Sequence, residues 1–255
     1  MSKPRFIEKL EKLKSYHRNA CNRPLVDGQP VVIVAKVHAF STFVNGLGRP
    51  VGGIFGEVFE LTAAKVCCQI HWCRLAYVTA DELVFVVWSH AGGRALEYFG
   101  GKVHFIVSMI SSVATMTFNK HLVKQLPKLS SRLGEHYATF KTMAFSVVAE
   151  DVDDYLAWRQ YENAQQSLRL LAAWKFTPKR LMFLNKHDLR LELVAKGIDW
   201  DTEDVHVRRG TLLVNAKYGE LDGESTWVTL DETPNFENSP NLVSGLLTNG
   251  RSDLN

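Results

Sequence analysis

No run of eighteen or more apolar residues occurs in this chain, so no segment has the length that crosses a bilayer as a helix. The first fourteen residues lack the apolar core of a signal peptide. They alternate charge with Phe6, Ile7, Leu10 and Leu13 at helical spacing, and Glu8 and Glu11 argue against an acidic-poor transit peptide. The expectation is a soluble, cytoplasmic protein that meets no membrane. Cysteine is scarce too: Cys21, Cys67, Cys68 and Cys73 form no second Cys-x-x-Cys pair, no histidine completes a zinc site, and all four read as buried free thiols. Charge of one sign is equally thin. Thirty Lys and Arg face 27 Asp and Glu, and a formal charge of +3 falls short of the basic bias of dedicated nucleic-acid-binding domains. Any RNA contact has to come from a local patch.

What is present is a chain of 255 residues, 46% hydrophobic, enough for one globular domain or two small ones. Pro30 to Val37 is a β-branched run bounded by turn residues and reads as a buried central strand. Ile54 to Ile70 places Phe55, Phe59, Thr62 and Val66 on one helical face. Trp72–Tyr77 and Leu83–Trp88 flank Val78-Thr79-Ala80-Asp81-Glu82, the shape of a hairpin with an acidic tip. The glycine-rich stretch Ala91 to Gly101 has neither Walker nor dinucleotide-binding spacing and reads as an ordinary connection. A long apolar helix follows from Lys102 to about Leu126, where Pro127 stops it. Phe140 to Val148 is a further strand and Asp151 to Trp174 a strong helix. Shorter helices are expected over Pro178 to Ile198, and a late hairpin over Arg209 to Ala216 and Ser225 to Leu230. The tail from Asn235 is rich in Asn, Ser and Gly and reads as disordered. The order strand, helix, hairpin, helix, strand, helix describes an α/β (α+β) sandwich of the split βαβ type.

His38, His71, His90 and His104 are scattered without an i, i+4 pair, which favours structural or surface roles. Lys120, Lys124, Lys128 and Arg132 recur at steps of four and form either a solvated face or a contact with RNA phosphates, with Arg208-Arg209 and Lys179-Arg180 as lesser candidates.

Several segments carry more than pattern. Asp154-Tyr155-Leu156-Ala157-Trp158-Arg159-Gln160 resembles the D-Y-L-x-W-R-Q signature of tRNA-His guanylyltransferases. Lys196-Gly197-Ile198-Asp199-Trp200 and Arg208-Arg209-Gly210-Thr211 are similar to that family's K-G-I-x-W and K-R-G-T segments. Lesser matches, from Lys14-Ser15-Tyr16 through Arg49-Pro50 and Gly100-Gly101-Lys102 to Pro234-Asn235-Phe236, lie in the same order, so the resemblance spans roughly Lys12 to Phe236. It implies a palm-like fold, as in polymerase palms and nucleotidyl cyclases, over residues 1–176. A C-terminal helical and hairpin extension over 177–236 and a disordered tail over 237–255 would follow. It also implies an oligomer, usually a tetramer, that adds a nucleotide, classically guanosine, to the 5′ end of tRNA after activating that end with ATP or GTP. Two Mg2+ ions held by two aspartates and a backbone carbonyl stabilise attacking and leaving oxygens in such chemistry.

The same resemblance exposes departures. The family's first metal segment reads roughly V-R-x-D-G-R-x-F-H-x-F, and with Phe40 and Phe43 aligned Lys36 stands at the first aspartate. Val37 then takes the glycine's place, His38 the arginine's and Ser41 the histidine's. No acidic residue occurs between Asp27 and Glu57, so no shift restores the carboxylate. The S-D-E motif is Ala80-Asp81-Glu82, which leaves Asp81 as the one metal ligand retained. The resemblance thus nominates Asp81 and Glu82 as catalytic residues, and Lys36, Val37, His38, Ala39, Phe40, Ser41, Arg49, Ala80 and Lys102 as nucleotide-binding ones. Triphosphate contacts are thinned: Phe105 and Gln165-Gln166 replace expected residues, Phe140-Lys141-Thr142-Met143 has lost the charges of F-D-x-R, and Gly52 stands where an acid helps recognise guanine. An ammonium about 4 Å from a divalent ion is repelled by about 8 kcal/mol at an effective dielectric of about 20, so Lys36 is expected to take the ion's place and pair with Asp81. Three readings follow: a member with weak or lost transfer acting as a regulatory subunit, a decoy or a partner of an active relative; an active transferase; and a purely structural interaction protein.

Overall fold

The computed structural model describes residues 4–88, 102–126, 137–215 and 226–249. The elements are, in chain order, α1 Leu10–Asn19, β1 Val31–Val37, α2 Phe40–Phe43, α3 Gly53–Cys67, β2 Cys73–Val78, β3 Glu82–Val87, α4 Val103–Gln125 and β4 Phe140–Ser146. There follow α5 Val152–Lys175, α6 Pro178–Leu181, α7 Lys186–Val194, α8 Val205–Arg209, β5 Thr211–Asn215, β6 Trp227–Thr229 and α9 Leu242–Asn249. The strands form one sheet in the order β4-β1-β3-β2-β5-β6, every neighbouring pair antiparallel. Its first four strands, with α3 and α4 as crossovers, are the split βαβ arrangement expected of a palm.

A strand that is apolar at nearly every position needs cover on both faces. On β1, Val31, Ile33, Ala35 and Val37 enter the core beneath α3 and α4, while Val32 and Val34 enter the opposite core beneath α1, α5 and α9. Asn119 on α4 holds both the N–H and the C=O of Ala138, and Thr115 Oγ1 accepts from Phe140 N at 3.0 Å. Those bonds lay α4 antiparallel to β4.

Helix α5 serves both layers. Val152, Tyr155, Leu156 and Trp158 pack in the second core, whereas Leu168, Leu170 and Leu171 belong to the first. Its middle turns therefore pass the end of the sheet, where the β2–β3 turn lies.

The segment after residue 176 supplies β5 and β6 to the same sheet, and the late hairpin pairs Leu213 with Thr229 and Asn215 with Trp227. Gly210 explains the glycine of the Arg-Arg-Gly-Thr segment: it has φ +75°, and a Cβ there would meet Val78 O at 2.5 Å and Tyr77 Oη at 2.6 Å. Two expectations are corrected. The tail is ordered from Asn235 through α9, because Phe236, Val243, Leu246 and Leu247 are buried in the second core and Asp153 accepts from Val243 N and Ser244 N. Of the four thiols, Cys67 and Cys73 are buried but Cys21 and Cys68 are exposed. The glycine-rich stretch 91–101, His90, Lys128, Arg132 and residues 250–255 lie outside the described residues. Among the described residues, no helix is long and apolar enough to cross a membrane.

Candidate functional site

The β2–β3 turn is drawn tight by Thr79, whose N–H donates to Glu82 O at 2.9 Å while its Oγ1 accepts from Glu82 N at 3.1 Å. Val37 N donates to Asp81 O at 3.0 Å and fastens the turn to the end of β1. Lys36, one residue earlier, is register partner to Glu82 on one side and Lys141 on the other. Its ammonium lies 3.2 Å from Asp81 Oδ1, 3.1 Å from Asp81 Oδ2 and 3.6 Å from Glu82 Oε2. The carboxylates are not a solvated tip: Asp81 is 4% exposed and Glu82 2%.

Each buried acid has an assigned counter-charge. Arg159 Nε donates to Glu82 Oε1 at 2.9 Å, and Gln166 Nε2 donates to Asp81 Oδ2 at 3.0 Å. Asn163 Oδ1 accepts from Ala80 N at 2.8 Å, and its Nδ2 reaches Arg208 O at 3.3 Å. Burial raises the Asp81 carboxyl above its ordinary value against the pull of Lys36. Burial works the same way on Glu82, but Arg159 and then Lys36 outweigh it and hold that carboxyl low. Arg159 is raised: burial opposes its charge and Glu82 more than restores it. Two acids and two bases leave the cluster formally neutral.

The nominated residues are only partly brought together. Lys36, Ala80, Asp81 and Glu82 meet at the sheet end. Val37 is buried, and its N–H serves the turn. His38 is exposed, with its N–H on Thr139 O, and Ala39 is left-handed at φ 48°. Phe40 is buried edge-on against Phe55 and Phe59. Ser41 is exposed. Arg49 borders a cavity of about 490 Å3 that Thr79 and Ala80 of the turn also line, and there it pairs with Glu203 and donates to Val51 O at 3.0 Å. Gly52 lines that cavity too, and a Cβ there would meet Val207 Cγ2 at 2.9 Å, so no acidic side chain enters without displacing Val207.

Lys102 stands apart. Thr115 is bonded at the Phe140 end of β4, beside Lys36, and lies thirteen positions along α4 from its N-cap Lys102, roughly 20 Å at about 1.5 Å per residue. The lysine's Nζ instead lies 5.7 Å from the Phe105 ring centroid. Sequence reasoning quoted Arg159 only as part of a motif and Gln166 only as a replaced position, and it missed Asn163, although their spacing of four and three puts all three on one helical face. It also missed His17 of α1. That ring shares a 2.8 Å hydrogen bond with Tyr155 Oη and lies among Phe145, Tyr155 and Trp158; burial, then Arg159, pushes it down to about 4.

The donor set does not fit a magnesium pair. A two-ion site needs carboxylates facing each other across neighbouring strands. Here an ammonium faces the acids, a guanidinium occupies Glu82, and no group of three or more His, Cys, Asp or Glu among the described residues is placed to hold a metal.

Residues 10–148, just over half the chain, match the family model described as tRNAHis guanylyltransferase. Among solved structures, a bacterial tRNA(His) guanylyltransferase-like protein in complex with ATP superposes with a TM-score of 0.74 at 23% identity, covering 94% of this chain and 99% of that one. A bacterial protein of the same description in complex with GTP gives 0.68 at 21% identity over the same shares. The tRNA(His) guanylyltransferase of Saccharomyces cerevisiae gives 0.61 at 15% identity, covering 83% of this chain and 92% of that one. Comparison with curated proteins finds no match. The palm-like sheet is thus shared with these structures, and the family model covers its first four strands with the α3 and α4 crossovers: this chain belongs to the tRNA-His guanylyltransferase family.

Proposed function

We propose that this chain keeps a palm that faces nucleotides and the 5′ end of tRNA while nucleotidyl transfer is weak or lost, so that it acts as a regulatory or partner subunit. The observation that carries this reading is the Lys36 ammonium, 3.1 Å from Asp81 Oδ2 at the end of β1. A cation fixed there repels a divalent ion by about 8 kcal/mol at roughly 4 Å and an effective dielectric of about 20, more than one remaining carboxylate recovers. Nucleotide binding is supported by family membership and by the two bacterial relatives in complex with ATP and GTP. The subunit works in the cytoplasm as a homo-oligomer, a dimer or tetramer, or beside an active relative.

A second reading, an active guanosine transferase using Mg2+, draws on the retention of Asp81 and Glu82. One experiment separates the two. Purified protein is incubated with radiolabelled GTP, ATP, magnesium and 5′-phosphorylated or triphosphorylated tRNA, and label on the RNA is counted. The expected result is no label above the enzyme-free control. Multiple turnovers sink the proposal in favour of the active transferase.

A further inference from the structure

Cys67 closes α3 and Cys73 opens β2, with Cys68 to Trp72 carrying the chain from the helix into the strand. Hydrogen bonds fix that connection: Gln69 N donates to Val66 O at 2.8 Å, Ile70 N to Cys67 O at 3.1 Å and Cys73 N to Ile70 O at 3.3 Å. Just past β3, Trp88 N donates to Trp72 O at 3.0 Å and holds the connection to the sheet. Both cysteines are buried in the first core, 2% and 5% exposed. Their sulfurs lie 3.8 Å apart, with the Cys73 thiol donating to Cys67 Sγ.

Sulfurs at that separation are already in contact, and a disulfide needs them about 2.05 Å apart. The gap left to close, a little under 2 Å, is of the size that side-chain rotation and small backbone shifts supply. Until it closes, each reduced thiol packs as a small apolar side chain. Burial, then the hydrogen bond from Cys73, raises the Cys67 thiol well above its ordinary value, so its reactive thiolate is scarce at neutral pH. The pair is thus shielded from casual modification, in contrast with Cys21 and Cys68, which are exposed.

We propose that Cys67 and Cys73 are an oxidation-sensitive dithiol that closes to a disulfide and ties the end of α3 to the start of β2, with hydrogen peroxide as the oxidant. One thiolate attacks a peroxide oxygen, the O–O bond breaks, and a sulfenic acid forms as the first water leaves. The second sulfur then attacks the first, so that the S–S bond forms, the S–O bond breaks and a second water leaves. The two thiols supply two electrons, and one peroxide is reduced to two waters. In a reducing compartment the pair rests as thiols, and its disulfide is a transient, redox-sensing event. Cys73 begins β2 while the Asp81 turn follows the other end of that strand, so the proposal stands independently of the transfer reading above.

The test uses the full chain, reduced and then freed of reductant. Parent and Cys68→Ser proteins are treated with hydrogen peroxide at about pH 8.5, where thiolate is more abundant. Each is then unfolded in an alkylating agent and mapped by mass spectrometry. Trypsin releases Val66–Arg74, which carries Cys67, Cys68 and Cys73 on one peptide. From Cys68→Ser that peptide is expected to lose two hydrogens and take no alkyl group, which assigns the bond to Cys67 and Cys73. The treated Cys68→Ser protein should melt about 5 °C above its reduced form, and dithiothreitol should reverse the gain. The Cys68→Ser/Cys73→Ala protein should show no rise under the same treatment, which separates the disulfide from other oxidation. Unbonded thiols at Cys67 and Cys73, a disulfide that requires Cys68, or a melting point that closure fails to raise overturns the proposal.

Discussion

At the scale of single residues, the site is governed by how two buried acids are neutralised. Lys36 pairs with Asp81, so on the reading proposed above Lys36→Asp should set a pair of acids facing each other. The variant is expected to melt below the parent in EDTA and to regain stability as magnesium is added, while the parent's melting temperature ignores magnesium; calorimetry with and without the ion checks this. Glu82 depends instead on Arg159. Arg159→Met leaves the buried Glu82 carboxylate only the Lys36 ammonium it shares with Asp81, and should cost roughly 3–5 kcal/mol in denaturant unfolding. His17 gives a pH signature. An unfolded imidazole titrates near 6.5 and the native one near 4, so between those values only the unfolded chain binds the proton. Stability from this group is complete above about pH 6.5 and declines as pH falls toward 4, by on the order of a few kcal/mol. A His17→Gln variant should show a shallower fall between pH 6.5 and 5; an unchanged slope would assign the dependence to other groups.

At the scale of elements, α5 links the two halves of the site. Its Arg159, Asn163 and Gln166 reach Glu82, Ala80 and Asp81 in turn, because the helix changes layers just where the β2–β3 turn ends the sheet. Asn163→Ala removes the acceptor for Ala80 N and the donor to Arg208 O, and should destabilise by roughly 1–3 kcal/mol as measured by chemical unfolding. The family signature is therefore scaffold as well as site: Asp154 accepts from Lys9 and Arg5, and Gln160 bonds the backbone of Arg209, Pro234 and Phe236. The motif was visible in the sequence, but its partners were not, since they lie 49 to 149 positions away.

At the scale of the whole molecule, the C-terminal region closes the sheet and seals the second core. Val243, Leu246 and Leu247 are buried, and burying each such side chain contributes roughly 1.5–3 kcal/mol. Deleting residues 237–255 should therefore lower the melting temperature and expose an apolar face that binds a hydrophobic dye. A truncated protein as stable as the parent would show that α9 adds nothing to the core. The composition of this region, rich in Asn, Ser and Gly, hid the helix, because a short amphipathic segment gains its stability from the surface it covers rather than from its own propensity.

The sequence by itself determined the order of the core elements, the antiparallel hairpin, the family motifs and the loss of one carboxylate, because periodicity and residue identity are local properties. It also nominated Lys36 as partner to Asp81 from a substitution alone. Only the tertiary structure decided that Arg159, Asn163 and Gln166 complete the hairpin's hydrogen bonding and that Lys102 stands about 20 Å along α4 from Thr115. Those relations depend on how far and at what angle helices run across the sheet, and spacing along the chain does not encode which distant surfaces will meet.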